Sequence, residues 1–235
     1  MITERTDRPV CTVGRKTAAC PIRVLVADDH AIIRAGVRKV LADQPDIVVA
    51  GEASDGQEAL QQLRRNEYDL LLLDLSMPGK SGIEVIKQAK DEAPKLRVLV
   101  LTMHEEDQYA VRAIRAGASG YLTKESAPGQ LVSAIRRLAE GRLYISSNVA
   151  EQLALDVQPH GDEAPHRHLS DREFEVFQLL VNGRSVSDIA SHLHLSVKTV
   201  STHKTRILQK MSAASVADLV RYAIRHRISP EPPTA

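Results

Sequence analysis

Cysteine is nearly missing from this chain: of 235 residues only Cys11 and Cys20 carry a thiol, and both fall within the first 21 positions. A disulfide framework therefore does not hold the fold together, and a reducing compartment suits the protein. Long apolar runs are missing as well. No stretch approaches the ~18 residues a helix needs to cross a bilayer, so a membrane span is not expected. The amino terminus lacks a charged flank followed by an apolar segment, so no secretory signal is expected either, and the expected location is the cytoplasm. Nor does charge of one sign dominate, because 31 Lys and Arg face 30 Asp and Glu. Neither a global polycation nor an acidic, solvating, disordered chain fits that balance. Any charged function must be local, and the mildly basic part is residues 169–235, with nine basic against six acidic side chains.

What is present is alternation. Short runs rich in Val, Leu and Ile occur at Ile22–Ala27, Ile47–Ala53, Leu70–Asp74, Arg97–Thr102 and Gly120–Leu122. Such runs read as buried parallel strands. Between them lie segments with helical spacing, such as Ile32, Val37, Val40 and Leu41, or Ile83, Val85 and Ile86. Strand and helix alternating through Glu140 predict an α/β unit, a five-stranded parallel, doubly wound sheet covered on both faces. One more short helix is expected within Gly141–Leu155. The stretch Asp156–His168, with two prolines, a glycine and three histidines, has a linker composition. From Leu169 the periodicity is purely helical, marked by Phe174, Phe177 and Leu180, then Ile189 and Leu193, then Val200, Ile207 and Met211, then Val216, Leu219 and Ile224. The expected organisation is a tail (1–21), an α/β domain (22–147), a linker (148–168), an all-α domain (169–228) and a second tail (229–235).

Parallel sheets bind ligands beyond the carboxyl ends of their strands, at a switch in strand order. Those ends carry Asp28, Asp29 and His30 after the first strand, Asp74 at the third, Thr102 at the fourth, and Thr123 and Lys124 after the fifth. Carboxylates with a nearby carbonyl, such as that of Ser76, suit a hard divalent cation like Mg2+. Such a cation would leave one carboxylate, Asp74, free to attack a phosphorus atom. Lys124 would supply a cation for the phosphoryl oxygens and Thr102 a hydroxyl. Each of these acids alone could be a helix cap or a turn residue; it is the set on four strand ends that points to phosphoryl chemistry.

The segments Val24-Leu25-Val26-Ala27-Asp28-Asp29-His30, Leu72-Leu73-Asp74-Leu75-Ser76-Met77-Pro78-Gly79, Val98 to Thr102 and Gly120-Tyr121-Leu122-Thr123-Lys124 resemble, in order and spacing, the receiver domain of two-component response regulators. That resemblance covers residues 22–140. It implies that Asp74 takes a phosphoryl group from a sensor histidine kinase, that Asp28, Asp29, Asp74 and the Ser76 carbonyl surround Mg2+, and that Lys124 contacts the phosphoryl group. It also implies a switch in which Thr102 is drawn to the phosphoryl group while Tyr121 changes rotamer. Glu125 follows Lys124 where many receivers have proline.

In the helical part, Ser196 stands where an N-cap belongs and a helix is expected from Val197. At 100 degrees per residue, Val200, Ile207 and Met211 share one side, and Lys198, Ser201, Thr202, Thr205 and Gln209 the other, flanked by Arg206. The second face suits the DNA major groove. Leu169-Ser170-Asp171-Arg172-Glu173, Gly183, Ile189-Ala190, Leu195-Ser196, Lys198-Thr199-Val200 and His203 resemble the LuxR-type helix-turn-helix, which makes the whole chain similar to the NarL/FixJ group. That resemblance implies Ser201, Thr202 and Thr205 as readers of base edges and Thr199, Lys204 and Arg206 as backbone contacts, with Lys198 a further DNA-binding residue. It further implies a homodimer formed when phosphorylated or on promoter DNA, through a final helix near Ser215–Arg225, with RNA polymerase a further partner. The remaining histidines lack a zinc-ligand pattern and are expected on solvated surface. Two other readings compete with this one. A phosphatase with an Asp nucleophile would need a second acid two residues on, where Ser76 stands, so turnover is expected to be no more than slow self-dephosphorylation. A constitutive DNA-binding protein with a vestigial receiver sits poorly with the intact acid set.

Overall fold

The computed structural model describes residues 20–102, 107–155, 164–226 and 228. The expected terminal tails lie almost entirely outside these residues, as does the central part of the expected linker. The amino-terminal unit runs β1 (Ile22–Ala27), α1 (Ala31–Ala42), β2 (Ile47–Ala53), α2 (Gly56–Arg65), β3 (Leu70–Leu73), α3 (Gly82–Glu92), β4 (Arg97–Thr102), α4 (Asp107–Arg115), β5 (Gly120–Thr123) and α5 (Pro128–Ala139). The strands form one parallel sheet in the order β2-β1-β3-β4-β5.

Side chains of the central strands alternate between two apolar layers, as the two-residue period of a strand requires. Leu25, Ala27, Leu71, Leu73, Val98 and Val100 pack toward α2, α3 and α4. Val24, Val26, Leu70, Leu72, Leu99 and Leu101 pack with Val37 and Leu41 of α1 and Leu131, Ile135 and Leu138 of α5. Both faces are thus covered, which is why these strands read as unbroken apolar runs. The helical spacing at α1 was less exact: Ile32 projects into solvent at 80% exposure, while Val37 and Leu41 carry the buried face.

Turn chemistry places the helices. Asp55 caps α2 by accepting from Glu58 N at 2.8 Å, and Pro128 opens α5, where a missing N–H costs nothing. Gly82, first residue of α3, has no room for a side chain, because a Cβ there would lie 2.6 Å from Leu75 Cα and 2.9 Å from its carbonyl oxygen. That close approach fixes the loop between β3 and α3.

A further helix, α6 (Ser147–Leu155), packs Val149 against Ala110 and Val111 of α4. The second unit contains α7 (Asp171–Val181), α8 (Val186–His192), α9 (Val197–Lys210) and α10 (Val216–Arg225), preceded by a 3-10 turn at Pro165–His168. Each of the four helices begins with a serine N-cap, Ser170, Ser185, Ser196 and Ser215, whose side chain accepts a backbone N–H. Phe174, Phe177, Leu180, Ile189, Leu193, Val200, Ile207, Met211 and Leu219 form its core. On α10 the buried partner of Leu219 is Ala223, and Ile224 is half exposed.

Candidate functional site

The sheet reverses its direction of growth between β1 and β3, so the crevice beyond those two strands is where the fold itself makes room for a ligand. Register places Ala27 beside Leu73, and the next residues, Asp28 and Asp74, meet there. Both are buried, at 3% and 2% exposure. Lys124, delivered by the end of β5, sets its Nζ 2.7 Å from Asp28 Oδ2 and 2.7 Å from Asp74 Oδ2. Its backbone N–H donates to Thr102 O at 2.8 Å, which ties it to the end of β4.

One ammonium shared by two buried carboxylates leaves both only partly compensated. Burial pushes the Asp74 carboxyl above its ordinary pKa, against the hydrogen bond from Lys124 that pulls it down. Burial likewise opposes the charge on Lys124, but its hydrogen bonds to Asp28 and Asp74 outweigh that and raise its pKa. The lysine is therefore charged at neutral pH, and the carboxylates are the frustrated partners.

Asp29 completes the acid set from the more exposed side. Its Oδ1 is buried and accepts no hydrogen bond, although His30 Nδ1 lies 2.8 Å away. Ligand atoms from Asp28, Asp29, His30 and Asp74 all lie within 4.8 Å of one another, the only such cluster among the described residues. Three carboxylates against one lysine, with an orphaned oxygen, fit a hard divalent cation such as Mg2+. Ser76 N donates to Asp74 Oδ1 at 3.1 Å, which turns the loop after β3 around the site. His30 was noted in the sequence only as a strand-end residue; its place beside two acids gave the signal.

Thr102 is fully buried at the end of β4, in register with Thr123, and Tyr121 is half-buried, packed against the α4–α6 contact of Ala110, Val111 and Val149. The structure thus brings Asp28, Asp29, Asp74, Lys124 and the Ser76 backbone together, with Thr102 on the neighbouring strand end and Tyr121 on the flank toward α4.

In the helical unit, α8 and α9 are joined by a tight turn in which His194 adopts φ +52°. On α9, Val200 and Ile207 are buried, as is Met211 just past its end, whereas Lys198, Thr199, Ser201, Thr202, Thr205 and Arg206 are exposed. Lys204 is half-buried, as its angle on the helix leads one to expect. Thr202 Oγ1 donates to Lys198 O at 2.9 Å and Thr205 Oγ1 to Ser201 O at 3.1 Å. Each hydroxyl proton is spent inside the helix, so these threonines present acceptor lone pairs and methyl groups outward.

Two histidines depart from the sequence expectation of solvated surface: His203 on α9 is half-buried with its Nδ1 unpartnered, and His166 is deeply buried. His166 is 4% exposed, its Nδ1 lies 2.7 Å from the Tyr222 hydroxyl of α10, and its Nε2 has no partner. Burial, with Arg112 and His226 nearby, lowers its pKa to about 4.

Comparison with known proteins agrees with this geometry. A family model for the response regulator receiver domain matches residues 24–136, and one for bacterial regulatory proteins of the luxR family matches residues 167–223. Response regulator UvrY of Escherichia coli (strain K12) is 39% identical over 206 residues, spanning 87% of this chain and 94% of that protein. A structure of RcsB from Salmonella enterica serovar Typhimurium bound to promoter rprA with phosphomimetic BeF3- is 29% identical, covers 86% of this chain and 98% of that one, and superposes with a TM-score of 0.59. A structure of two RcsB dimers bound to two parallel DNAs is 30% identical, covers 87% and 98%, and gives a TM-score of 0.54. Among the described residues no helix is long and apolar enough to cross a membrane. These relatives are regulators rather than classical enzymes, and nothing in them favours a phosphatase or a vestigial receiver. The chain belongs to the NarL/FixJ family of two-component response regulators, and it is a DNA-binding response regulator with a receiver domain and a LuxR-type helix-turn-helix domain.

Proposed function

We propose that Asp74 is the phosphoacceptor and that a sensor histidine kinase is the donor. A carboxylate oxygen of Asp74 attacks the phosphorus of a phosphohistidine, the P–N bond breaks, and an acyl phosphate remains on Asp74. Lys124, now bridging Asp28 and Asp74, swings to the phosphoryl oxygens and replaces one of its carboxylate partners with the new charge. Asp28, Asp29, Asp74 and the Ser76 carbonyl are the residues that would hold Mg2+, which supplies charge neutralisation at the transferring group. Thr102 donates its hydroxyl to the bound phosphoryl group, and Tyr121 follows it inward. Because Leu75 and Ser76 follow Asp74, no acid stands ready to protonate a leaving group, and loss of the phosphoryl group is confined to slow hydrolysis.

The output is promoter DNA. Ser201, Thr202 and Thr205 read base edges, while Lys198, Thr199, Lys204 and Arg206 hold the backbone. Two copies pair through α10, whose Ile224 is left half exposed, to engage two half-sites. RNA polymerase is the partner through which bound regulator would act, in the cytoplasm. The receiver is assigned to residues 22–147, the linker to 148–168 and the DNA-binding domain to 169–228.

The observation that carries this reading is Asp74 itself, 2% exposed at the switch point and 2.7 Å from Lys124. The test is incubation with a radiolabelled small phosphoryl donor, acetyl phosphate, followed by peptide mapping. Acid-stable, base-labile label on the peptide containing Asp74, absent from Asp74→Asn, is expected. Undiminished labelling of Asp74→Asn overturns the assignment.

A further inference from the structure

Asp28 and Asp29 are joined by one peptide group, and the plane of that group sets the direction from which both side chains start. Its carbonyl, Asp28 O, accepts from Arg34 Nη1, one turn into α1, at 2.7 Å. The same guanidinium sends its Nε to Glu52 Oε2 of β2 at 3.3 Å. Arg38, one turn further along α1, holds the other oxygen of that carboxylate, Glu52 Oε1, at 2.5 Å. The Asp28 N–H in turn donates to Ala53 O, the next carbonyl of β2, at 3.1 Å. Asp28 is therefore fastened to β2 twice, directly through its N–H and through Arg34 and Glu52 at its carbonyl. The Arg34 side chain is 18% exposed and that of Glu52 31%, so water competes little for the contact. His30, at the N-cap of α1, makes no side-chain cap, which leaves Arg34 to tie the start of this helix to the strand end before it.

Two effects of Arg34 on the acid set oppose each other. A guanidinium on the peptide between two carboxylates repels a second cation, so if Arg34 acted only as a charge its removal would tighten metal binding. A planar fork that donates to a carbonyl and a carboxylate at once also fixes the orientation of what it holds. Groups that orient metal ligands without touching the metal commonly carry a tenfold or larger share of the affinity, since ligands that must first be ordered bind more weakly. The double anchoring of the Asp28 peptide on β2 favours the second effect.

We infer that Arg34, oriented by Glu52, is a positioning residue for the acid set: it holds the peptide plane between Asp28 and Asp29 so that both carboxylates are preset for Mg2+. Arg34 acts through that peptide and contacts neither the cation nor the phosphoryl group. Once a cation is bound it holds the carboxylates itself, so Arg34 governs how much Mg2+ is needed and not the rate of phosphoryl transfer at saturation. The inference rests on the reading of Asp28 and Asp29 as Mg2+ ligands, but not on Asp74 being the phosphoacceptor.

The test uses the full chain as wild type, Arg34→Ala, Glu52→Ala and the double variant. Binding of Mn2+, a surrogate with the same taste for oxygen ligands, is read from the loss of its free paramagnetic resonance signal, and Mg2+ is then titrated in to displace it. Arg34→Ala is expected to weaken both cations about tenfold, and Glu52→Ala by less. The double variant should lose no more than Arg34→Ala alone, because the influence of Glu52 passes through Arg34. Labelling by acetyl phosphate should need about tenfold more Mg2+ in Arg34→Ala and reach the wild-type rate at saturation. Unchanged or tighter Mn2+ binding in Arg34→Ala overturns the positioning role, and so does a lower saturated rate with an unaltered Mg2+ requirement. Additive losses in the double variant overturn the part given to Glu52. Should Arg34→Ala fail to fold, Arg34→Lys takes its place: it keeps the charge but cannot serve both acceptors from one plane, so weaker Mn2+ binding supports the role and wild-type affinity overturns it. A wild type that binds neither cation defeats the Mg2+ reading of the acid set, a result distinct from an Arg34→Ala that binds as the wild type does. Weakened Mn2+ binding in Arg34→Ala together with undiminished labelling of Asp74→Asn leaves Arg34 in its role and removes Asp74 from its own.

Discussion

Replacing Lys124 by Met isolates the electrostatic frustration at the site. The ammonium lies 2.7 Å from each of two carboxylates that are almost wholly buried. Methionine keeps most of the volume and removes the charge, so Asp28 and Asp74 face each other uncompensated. Breaking a buried ion pair by deleting one partner costs roughly 3–5 kcal/mol. The cost depends on pH, and its direction follows from linkage. The Asp74 pKa is already raised by burial, and losing Lys124 raises it further, so that one proton is shared by the two acids. In the unfolded chain both titrate near ~3.9. Above the unfolded carboxylate range the folded variant therefore begins with a proton that the unfolded one has lost. Its stability falls as pH rises, by about 1.4 kcal/mol per pH unit while that proton is retained. A divalent cation that fits the acid set should restore much of the loss by binding only the folded form. Urea unfolding of wild type and Lys124→Met at pH 5 and 7.5, with and without millimolar Mg2+, reads all three effects. A penalty below about 1 kcal/mol that is the same at both pH values would refute the reasoning, since a buried, unbalanced acid pair cannot be that cheap.

Other expectations concern separate parts of the molecule. His166 faces Arg112 from α4, Tyr222 and His226 from α10, and Arg167 beside it, and its pKa is lowered to about 4 by burial first and then by those cations. The folded protein therefore keeps this contribution in full above pH ~6.5 and loses up to about 3 kcal/mol of it as pH falls toward 4; an acid-unfolding midpoint that does not shift in His166→Gln would contradict this. Thr202→Ala and Thr205→Ala should each cost about 1–3 kcal/mol on the specific site and much less on random DNA, and equal losses on both in a gel-shift competition would remove them from base reading. Gly82→Ala drives a methyl into the Leu75 backbone beside the site, so thermal unfolding should show a loss of about 1–3 kcal/mol; unchanged stability would mean the loop yields freely.

Much of the receiver was legible in the sequence because its chemistry is local. A strand buried on both faces must be an apolar run, and a strand end is where such a run stops, so Asp28, Asp74, Thr102 and Lys124 announce themselves by position. The face of α9 was legible for the same reason, since Val200, Ile207 and Met211 fall at helical spacing under a serine cap. The junction between the domains was not. Arg112 sits on the polar side of an amphipathic helix, where a cation normally means solvent, and nothing local says that the carbonyls of His166 and Leu169 will come to it. His166 in a proline-containing linker reads as exposed until Tyr222, 56 positions later, closes over it. The choice between Ala223 and Ile224 as the buried residue of α10 was also hidden, because adjacent apolar residues both fit a helical stripe.

On the proposed mechanism, a phosphoryl group on Asp74 changes how tightly the distant helical domain holds its DNA. Promoter affinity of the full chain, measured by fluorescence anisotropy with Mg2+ and with or without beryllofluoride, tests it most directly when wild type and Asp74→Asn are compared. A gain of about tenfold is expected for the wild type and none for the variant. Equal affinity for the wild type in both conditions, or an undiminished gain in Asp74→Asn, would contradict it.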